Sequence, residues 1–209
     1  MVQSLSRLKE SPSQTAGPYV HIGTTPNFIG INHVYAQDLG LAPCPAAAKG
    51  QRIIITGQVF DGSGAVLRDA LLELWQADAD GLYPGRGEHR GAADPNFPGW
   101  FRQPVDGVSG IYRFETIKPG AVPFIDGRKM APHVTLWIVA RGINIGLHTR
   151  MYFPDEAAAN EADPIFTRFE LRARLATLVA ARDGEEDGVP VYRFDIHLQG
   201  DKETIFFDI

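Results

Sequence analysis

Arg52-Ile53-Ile54-Ile55-Thr56-Gly57-Gln58-Val59-Phe60, followed by Asp61-Gly62-Ser63-Gly64, is the stretch on which the fold turns. Its β-branched side chains are stiff at χ1 and pack well on a pleated surface, so residues 52–60 read as a strand. The Asp-Gly-Ser-Gly run supplies turn chemistry directly after it. Residues 71–77 (LLELWQA) then read as the return strand. Glu73 and Gln76 fall on opposite faces of a period-2 strand, which calls for a bulge or a strand end between them.

Working outward, residues 111–116 (IYRFET) alternate as a half-buried strand does. Residues 134–140 (VTLWIVA) are nearly all apolar, which predicts a strand buried on both faces. Residues 148–153 follow a Gly-rich turn and are expected to pair with it. Residues 191–198 alternate again, and the apolar end at 204–209 is expected to dock on the body. Residues 154–160 read as a short helix with Asp155 and Glu156 in its first turn. Residues 172–182 fit helix or strand equally. Residues 83–110 lack a period and hold many Gly and Pro, as a functional or covered loop does. Residues 11–19 (SPSQTAGPY) carry two prolines and read as a defined extended loop within a patternless first fifty. The fold class is therefore all-β: a β-sandwich of mostly antiparallel strands with long loops and one or two short helices. Residues 1–50 form an N-terminal arm, and 51–209 form the sandwich domain.

The composition agrees. Among 209 residues, 22 Gly and 15 Pro suit a chain rich in turns. A formal charge of −5 argues against a general nucleic-acid binder, which needs a basic stripe. Cys44 is the single cysteine, so an intrachain disulfide and a multi-cysteine metal knot are excluded. Its Ala-Pro-Cys-Pro context reads as an exposed loop thiol. No apolar run reaches the roughly 18–20 residues of a membrane span, and residues 1–10 lack the apolar segment of a signal peptide. A cytoplasmic location is the expectation.

Several constellations were weighed. Gly62-Ser63-Gly64 leads into a strand, whereas a phosphate-binding glycine loop opens a helix. No Gly-x-Ser-x-Gly occurs. None of the six histidines forms His-x-His or His-Glu-x-x-His, so a self-contained zinc site is not expected. Alone, His133 reads as a structural histidine at a strand start, and Tyr83 as a packing residue with its hydroxyl toward water. Arg141, where the apolar strand emerges, reads equally as an edge cap or as a fixed cation for a carboxylate.

Ordered motifs add a resemblance. They are SPSQTAGPYVHIG at 11–23, GQVFDG at 57–62, ELWQAD at 73–78, TIKPGA at 116–121, APH at 131–133, ARGINIGLHTR at 140–150, and the terminal run 192–209. On these the chain resembles the intradiol ring-cleaving dioxygenases over nearly its whole length, and within them the alpha-type subunits of the two-chain enzymes. The resemblance implies that catalytic chains of the family hold Fe(III) with two tyrosines and two histidines, hard anionic oxygens favouring the ferric ion. Here Tyr83 stands where the first tyrosine is expected and Val122 where the second is. His133 keeps the first histidine, and Thr135 replaces the second. Two of four donors remain, so the expectation is that no residue of this chain is catalytic and that it binds no iron itself. The Fe(III) is expected on an iron-bearing beta subunit of the same fold, joined to this chain in a higher-order αβ hetero-oligomer.

The implied reaction opens protocatechuate with O₂ between its two hydroxyl-bearing carbons. Thr15, Gly17, Pro18 and Arg141 are implied as this chain's substrate-pocket residues, with the arm at 1–50 packed on the partner. Two other readings stay open: a purely structural subunit, and a self-sufficient enzyme of unusual ligation.

Overall fold

The computed structural model describes residues 14–17 and 19–208, so Pro18 lies outside the described residues. Strand β1 (Arg52–Phe60) forms where expected and becomes the centre of the first sheet. On one side it pairs antiparallel with β4 (Ile111–Ile117) over seven registered positions, from Arg52↔Ile117 to Gln58↔Ile111. On the other side it runs parallel to β10 (Val189–Arg193) and then to β11 (Ile196–His197). β9 (Ala181–Glu186) closes that edge against β10. The second sheet has the order β3 (Trp100–Pro104), β2 (Leu71–Trp75), β7 (His133–Val139), β8 (Leu147–Tyr152), all antiparallel. A two-stranded ribbon, β5 (Val122–Pro123) with β6 (Lys129–Met130), stands apart.

The two sheets face one another as a β-sandwich. Ile53, Ile55, Tyr112 and Phe114 from the first meet Leu72, Leu74, Val134, Leu136 and Ile138 from the second in one core. Gly57 is required here because a Cβ would lie 2.1 Å from Phe194 O. That close approach lets the buried Tyr112 hydroxyl donate to the same carbonyl.

The expected strand at 111–116 holds, and 148–153 pairs as foreseen through Thr135↔Arg150 and its neighbours; the strand expected at 134–140 forms as β7, but its outer face is only half-buried at Thr135 and Trp137 rather than buried on both sides. The short helix at 154–160 is a 3-10 turn, Pro154–Glu156, running into α2 (Ala157–Ala162). The C-terminal run docks, with Ile205 buried and Phe207 bridged to His148.

Other expectations are corrected. Residues 71–77 are not the return partner of β1: β2 crosses to the other sheet, where its apolar residues meet β1 face to face. The Glu73–Gln76 conflict resolves as a strand end, because β2 stops at Trp75. The patternless stretch 83–110 contains β3, whose outward Trp100 and Arg102 hid its period. Residues 172–182 are a 3-10 segment, Arg172–Leu178, followed by the start of β9. The strand expected at 191–198 breaks after Arg193. Cys44 is 7% exposed and packs in the main core, because its N–H donates to Glu115 O and draws the loop inward. The arm includes a short helix, α1 (Val20–Thr24), just beyond the residues read as extended. A further short helix, α3 (Pro164–Arg168), starts on Asp163, whose side chain accepts from Ile165 N. Among the described residues, no helix is long and apolar enough to cross a membrane.

Candidate functional site

The first cluster forms where β7 ends. Thr15 Oγ1 donates to Ala140 O at 3.1 Å and accepts from Gly142 N at 3.1 Å, so one hydroxyl holds both neighbours of Arg141. A bridge between Thr15 and Asn144 adds to this attachment. Two residues on, Gly17 has φ +65 and no atom within 4 Å of where a Cβ would stand, so the chain turns there in a left-handed conformation beside open space. Arg141 Nε donates to Asp69 Oδ2 at 2.5 Å, while the side chain remains 66% exposed. Asp69 also fixes the arm, because its carbonyl accepts from His21 Nε2 at 3.2 Å. An open cleft of about 610 Å³ is lined by Arg141, Gly142, Ile143, Asn144, Leu147 and Phe206, among others. Arg141 is thus tethered at Nε, and it lines this cleft. The structure brings Thr15 and Arg141 together across 126 positions of sequence.

The second cluster lies on the outer face of the second sheet. Cross-strand pairs share a face, so His133/Tyr152 and Thr135/Arg150 form one patch, with Trp75 opposite Thr135 on β2. Val122 is buried in β5 opposite Met130. Arg150 Nη1 donates to Met130 Sδ at 3.3 Å, and its guanidinium lies 5.6 Å from the Phe207 ring. Tyr83 stands on the loop after β2, which Asp78 builds, near enough to feel the Arg150 charge. Asp78 is 2% exposed, and its carboxylate accepts from Asp80 N, Leu82 N and Asp94 N at 2.9–3.0 Å.

Arg150 is the cation nearest these groups, and the Asp163 carboxylate lies close enough to act on Tyr152 and to feel the Arg150 charge. Burial, and then the positive charge of Arg150, hold His133 down at about 4. His133 Nδ1 donates to Ala131 O at 2.8 Å, which leaves Nε2 as the ring's free lone pair. Burial raises Tyr83 above the usual tyrosine range, against a smaller lowering by Arg150. Burial, and then the negative charge of Asp163, push Tyr152 well above the usual tyrosine range, and its hydroxyl is one of two buried side-chain polar atoms without a hydrogen-bond partner among the described residues.

These groups do not fit a ferric ion. Val122 has no donor atom, and the Thr135 hydroxyl is neutral and a poor ligand. Tyr83 is held as the neutral phenol, and a fixed cation stands among the four positions. Among the described residues, no group of three or more His, Cys, Asp or Glu is placed to hold a metal.

Sequence reasoning missed Arg150, Asp69 and Asp78. For Arg150 the signal was present in the alternation of 148, 150 and 152, but the register that sets it opposite Thr135 was not.

The family model described as Dioxygenase matches residues 24–200. The chain is 45% identical over 201 residues to the protocatechuate 3,4-dioxygenase alpha chain of Pseudomonas putida, covering 96% of this chain and 97% of that one. It is 41% identical over 209 residues to the alpha chain from Burkholderia cepacia, covering 98% and 100%. The beta chain from Burkholderia cepacia is 38% identical over 160 residues, covering 74% of this chain and 67% of that one. Among solved structures, the intradiol ring-cleavage dioxygenase from Tetranychus urticae superposes with a TM-score of 0.57 at 19% identity, covering 79% and 89%. That likeness shows the fold.

Proposed function

This chain belongs to the intradiol dioxygenase family, and we propose that within it the chain is the iron-free, alpha-type subunit of a two-chain protocatechuate 3,4-dioxygenase. One observation supports this reading: the family fold is intact while Val122 and Thr135 occupy the positions at which the resemblance implies two of the four iron donors. The iron then sits in a beta-type partner of the same fold, and ring opening between the hydroxyl-bearing carbons belongs to that chain. The site is soluble and cytoplasmic in this reading, and the assembly is an αβ hetero-oligomer.

The part left to this chain is to bind and orient. Thr15, Gly17, Pro18 and Arg141 line the partner's substrate pocket. Arg141 offers guanidinium N–H donors to the carboxylate of the aromatic acid, a charge-assisted pairing. The Asp69 tether limits where that cation can point. Thr15 holds the turn on both sides of Arg141, and Gly17 keeps its flank free of side-chain atoms.

The surface of the arm supports a partner on it. Tyr19, Phe28, Val34, Tyr35 and Leu39 are all at least 40% exposed, more apolar surface than one short segment ordinarily shows to water. The partner-facing part of residues 1–50 is accordingly the stretch up to about residue 40, since Cys44 and Ala48 pack in this chain's own core.

The test is Arg141→Ala in the assembled enzyme. Loss of a charge-assisted hydrogen bond at a partly exposed site raises KM about tenfold, with kcat within about twofold of wild type. An unchanged kcat/KM overturns the substrate contact and leaves the subunit purely structural. Stoichiometric iron on the chain expressed alone overturns the assignment of iron to the partner.

A further inference from the structure

Arg150 has no role in the proposed reaction, yet every one of the four donor positions leads to it. It stands directly across from Thr135 in the β7–β8 register. Its Nη1 donates to Met130 Sδ, and Met130 is in turn the strand partner of Val122. His133 and Tyr152 are the next registered pair on the same face, with ring centroids 5.5 Å apart. Its charge also acts on Tyr83, which comes in from the loop after β2. Among the described residues, no salt bridge joins Arg150 to a carboxylate. Nearby Asp163 instead turns its two oxygens to backbone N–H groups of Ala131 and Ile165. The half-buried guanidinium is thus held by a thioether and an aromatic face, and the one carboxylate that feels its charge, Asp163, makes no ion pair with it and has both oxygens engaged by backbone N–H groups.

We propose that Arg150 is the built-in cation of this site and excludes a metal from it by charge, so that returning the two missing donors does not by itself restore metal binding. The inference rests on the reading that this chain carries no iron, and it adds a barrier beyond the loss of ligands. His133 is still prepared as a ligand: its Nδ1–H donates to Ala131 O and its Nε2 lone pair is free, as in metal-binding imidazoles that give their other N–H to a carbonyl. A positive charge a few ångströms from an incoming di- or trivalent cation opposes it strongly in a half-buried setting. Two obstacles follow, one of missing donors and one of charge, and they are separable by mutation.

The experiment uses the full chain, with iron measured by metal analysis and by the visible absorption of tyrosinate bound to Fe(III). Wild type, Val122→Tyr/Thr135→His, and the same pair with Arg150→Gln or Arg150→Lys are compared after exposure to Fe(III). The expected result is iron close to stoichiometric, with the absorption band, only in the triple variant bearing Arg150→Gln. Iron uptake by the double variant, or by the triple variant with Arg150→Lys, overturns the proposal. An iron-free Arg150→Gln triple variant with native circular dichroism also overturns it. Iron on the wild-type chain instead sinks the reading beneath it, which keeps the two failures distinct.

Because a tyrosine at buried position 122 can overpack the ribbon, Co(II) titration of variants that keep Val122 and carry two imidazoles provides an independent arm. Thr135→His/Arg150→Gln should bind Co(II) about a hundredfold more tightly than Thr135→His alone, whereas Thr135→His/Arg150→Lys should not. Equal affinities overturn the proposal even if the triple variant does not fold.

Discussion

Replacing Asp78 by Ala should cost about 4 kcal/mol of folding stability, because one carboxylate accepts from three backbone N–H groups on two segments of loop. Asp78 is 2% exposed. Its Oδ1 accepts from Asp80 N at 3.0 Å and Leu82 N at 2.9 Å, and its Oδ2 accepts from Asp94 N at 2.9 Å. Hydrogen bonds to a charged acceptor are worth about 1.5–3 kcal/mol each, and a buried N–H left without an acceptor costs about 1–3 kcal/mol. Three such losses sum to more than 4 kcal/mol. Water entering the vacated space recovers part of it, which sets the lower figure. With a urea m-value of about 2 kcal/mol/M, the midpoint drops by roughly 2 M. Asp78→Asn is the graded control. Its carbonyl can still serve Asp80 and Leu82, while its NH₂ meets the Asp94 N–H donor to donor, so it should lose about half as much. The backbone of Asp78 adds a second consequence. Its carbonyl accepts from Gly120 N at 2.8 Å, so the Tyr83 loop and the segment leading to Val122 are fixed from one residue. Urea unfolding followed by tryptophan fluorescence and circular dichroism reads both variants. A loss below about 1 kcal/mol for Asp78→Ala, at unchanged m, would refute the argument.

His133 makes stability depend on pH. Its folded-state value is near 4 against an ordinary 6.5, so above 6.5 both states are neutral there and this group gives no slope. Between 6.5 and 4 only the unfolded chain takes the proton, and stability falls with falling pH by up to about 3 kcal/mol. His133→Gln should flatten the curve over that window, and parallel curves for the two proteins would contradict the assignment. Glu73 receives Arg102 at 2.7 and 2.9 Å and Trp100 Nε1 at 3.0 Å. Glu73→Ala strands that guanidinium and should cost about 3 kcal/mol, with much of it recovered in Glu73→Leu/Arg102→Leu; a cost under about 1 kcal/mol for the single change argues against a paired buried charge. Thr15→Val removes both bonds to the Arg141 turn. Limited proteolysis should then cut the arm faster while the sandwich core stays resistant, and equal cleavage rates would show that the arm is held elsewhere.

The fold was legible where side-chain period reports burial directly. β4 alternates and β7 is nearly all apolar, and both are strands as read, although the outer face of β7 is only half-buried. Pairing was less legible. β2 follows a turn after β1, as a hairpin partner does, yet its apolar residues bury themselves against β1 from the opposite sheet. Alternation alone does not distinguish a neighbour along a sheet from a neighbour across the core. β3 was invisible because Trp100 and Arg102 face outward to serve Glu73 and Trp75, so polar and aromatic residues occupy the wrong side of the pattern. Cys44 was misplaced because a Pro-Cys-Pro string has no period, and one backbone hydrogen bond to Glu115 decides its burial. The site divided in the same way. Val122 and Thr135 could be judged from donor chemistry alone. Arg150 required the register of β8, and the meeting of Thr15 with Arg141 required the fold.

The parallel pairing of β1 with β10 and β11 has a consequence for how the protein is made. Synthesis delivers Ile53 to Val59 early, but their partners from Val191 to His197 emerge more than 130 residues later. One side of β1 therefore stays unpaired until Val191 to His197 have emerged, a long-range closure of the kind that folds slowly. Loss of residues 190–209 would remove an interior strand, β10, together with β11, and leave β9 without its partner. Until those residues arrive, the newborn chain presents an apolar strand with an open edge, and for that interval its solubility depends on a chaperone or on speed of translation.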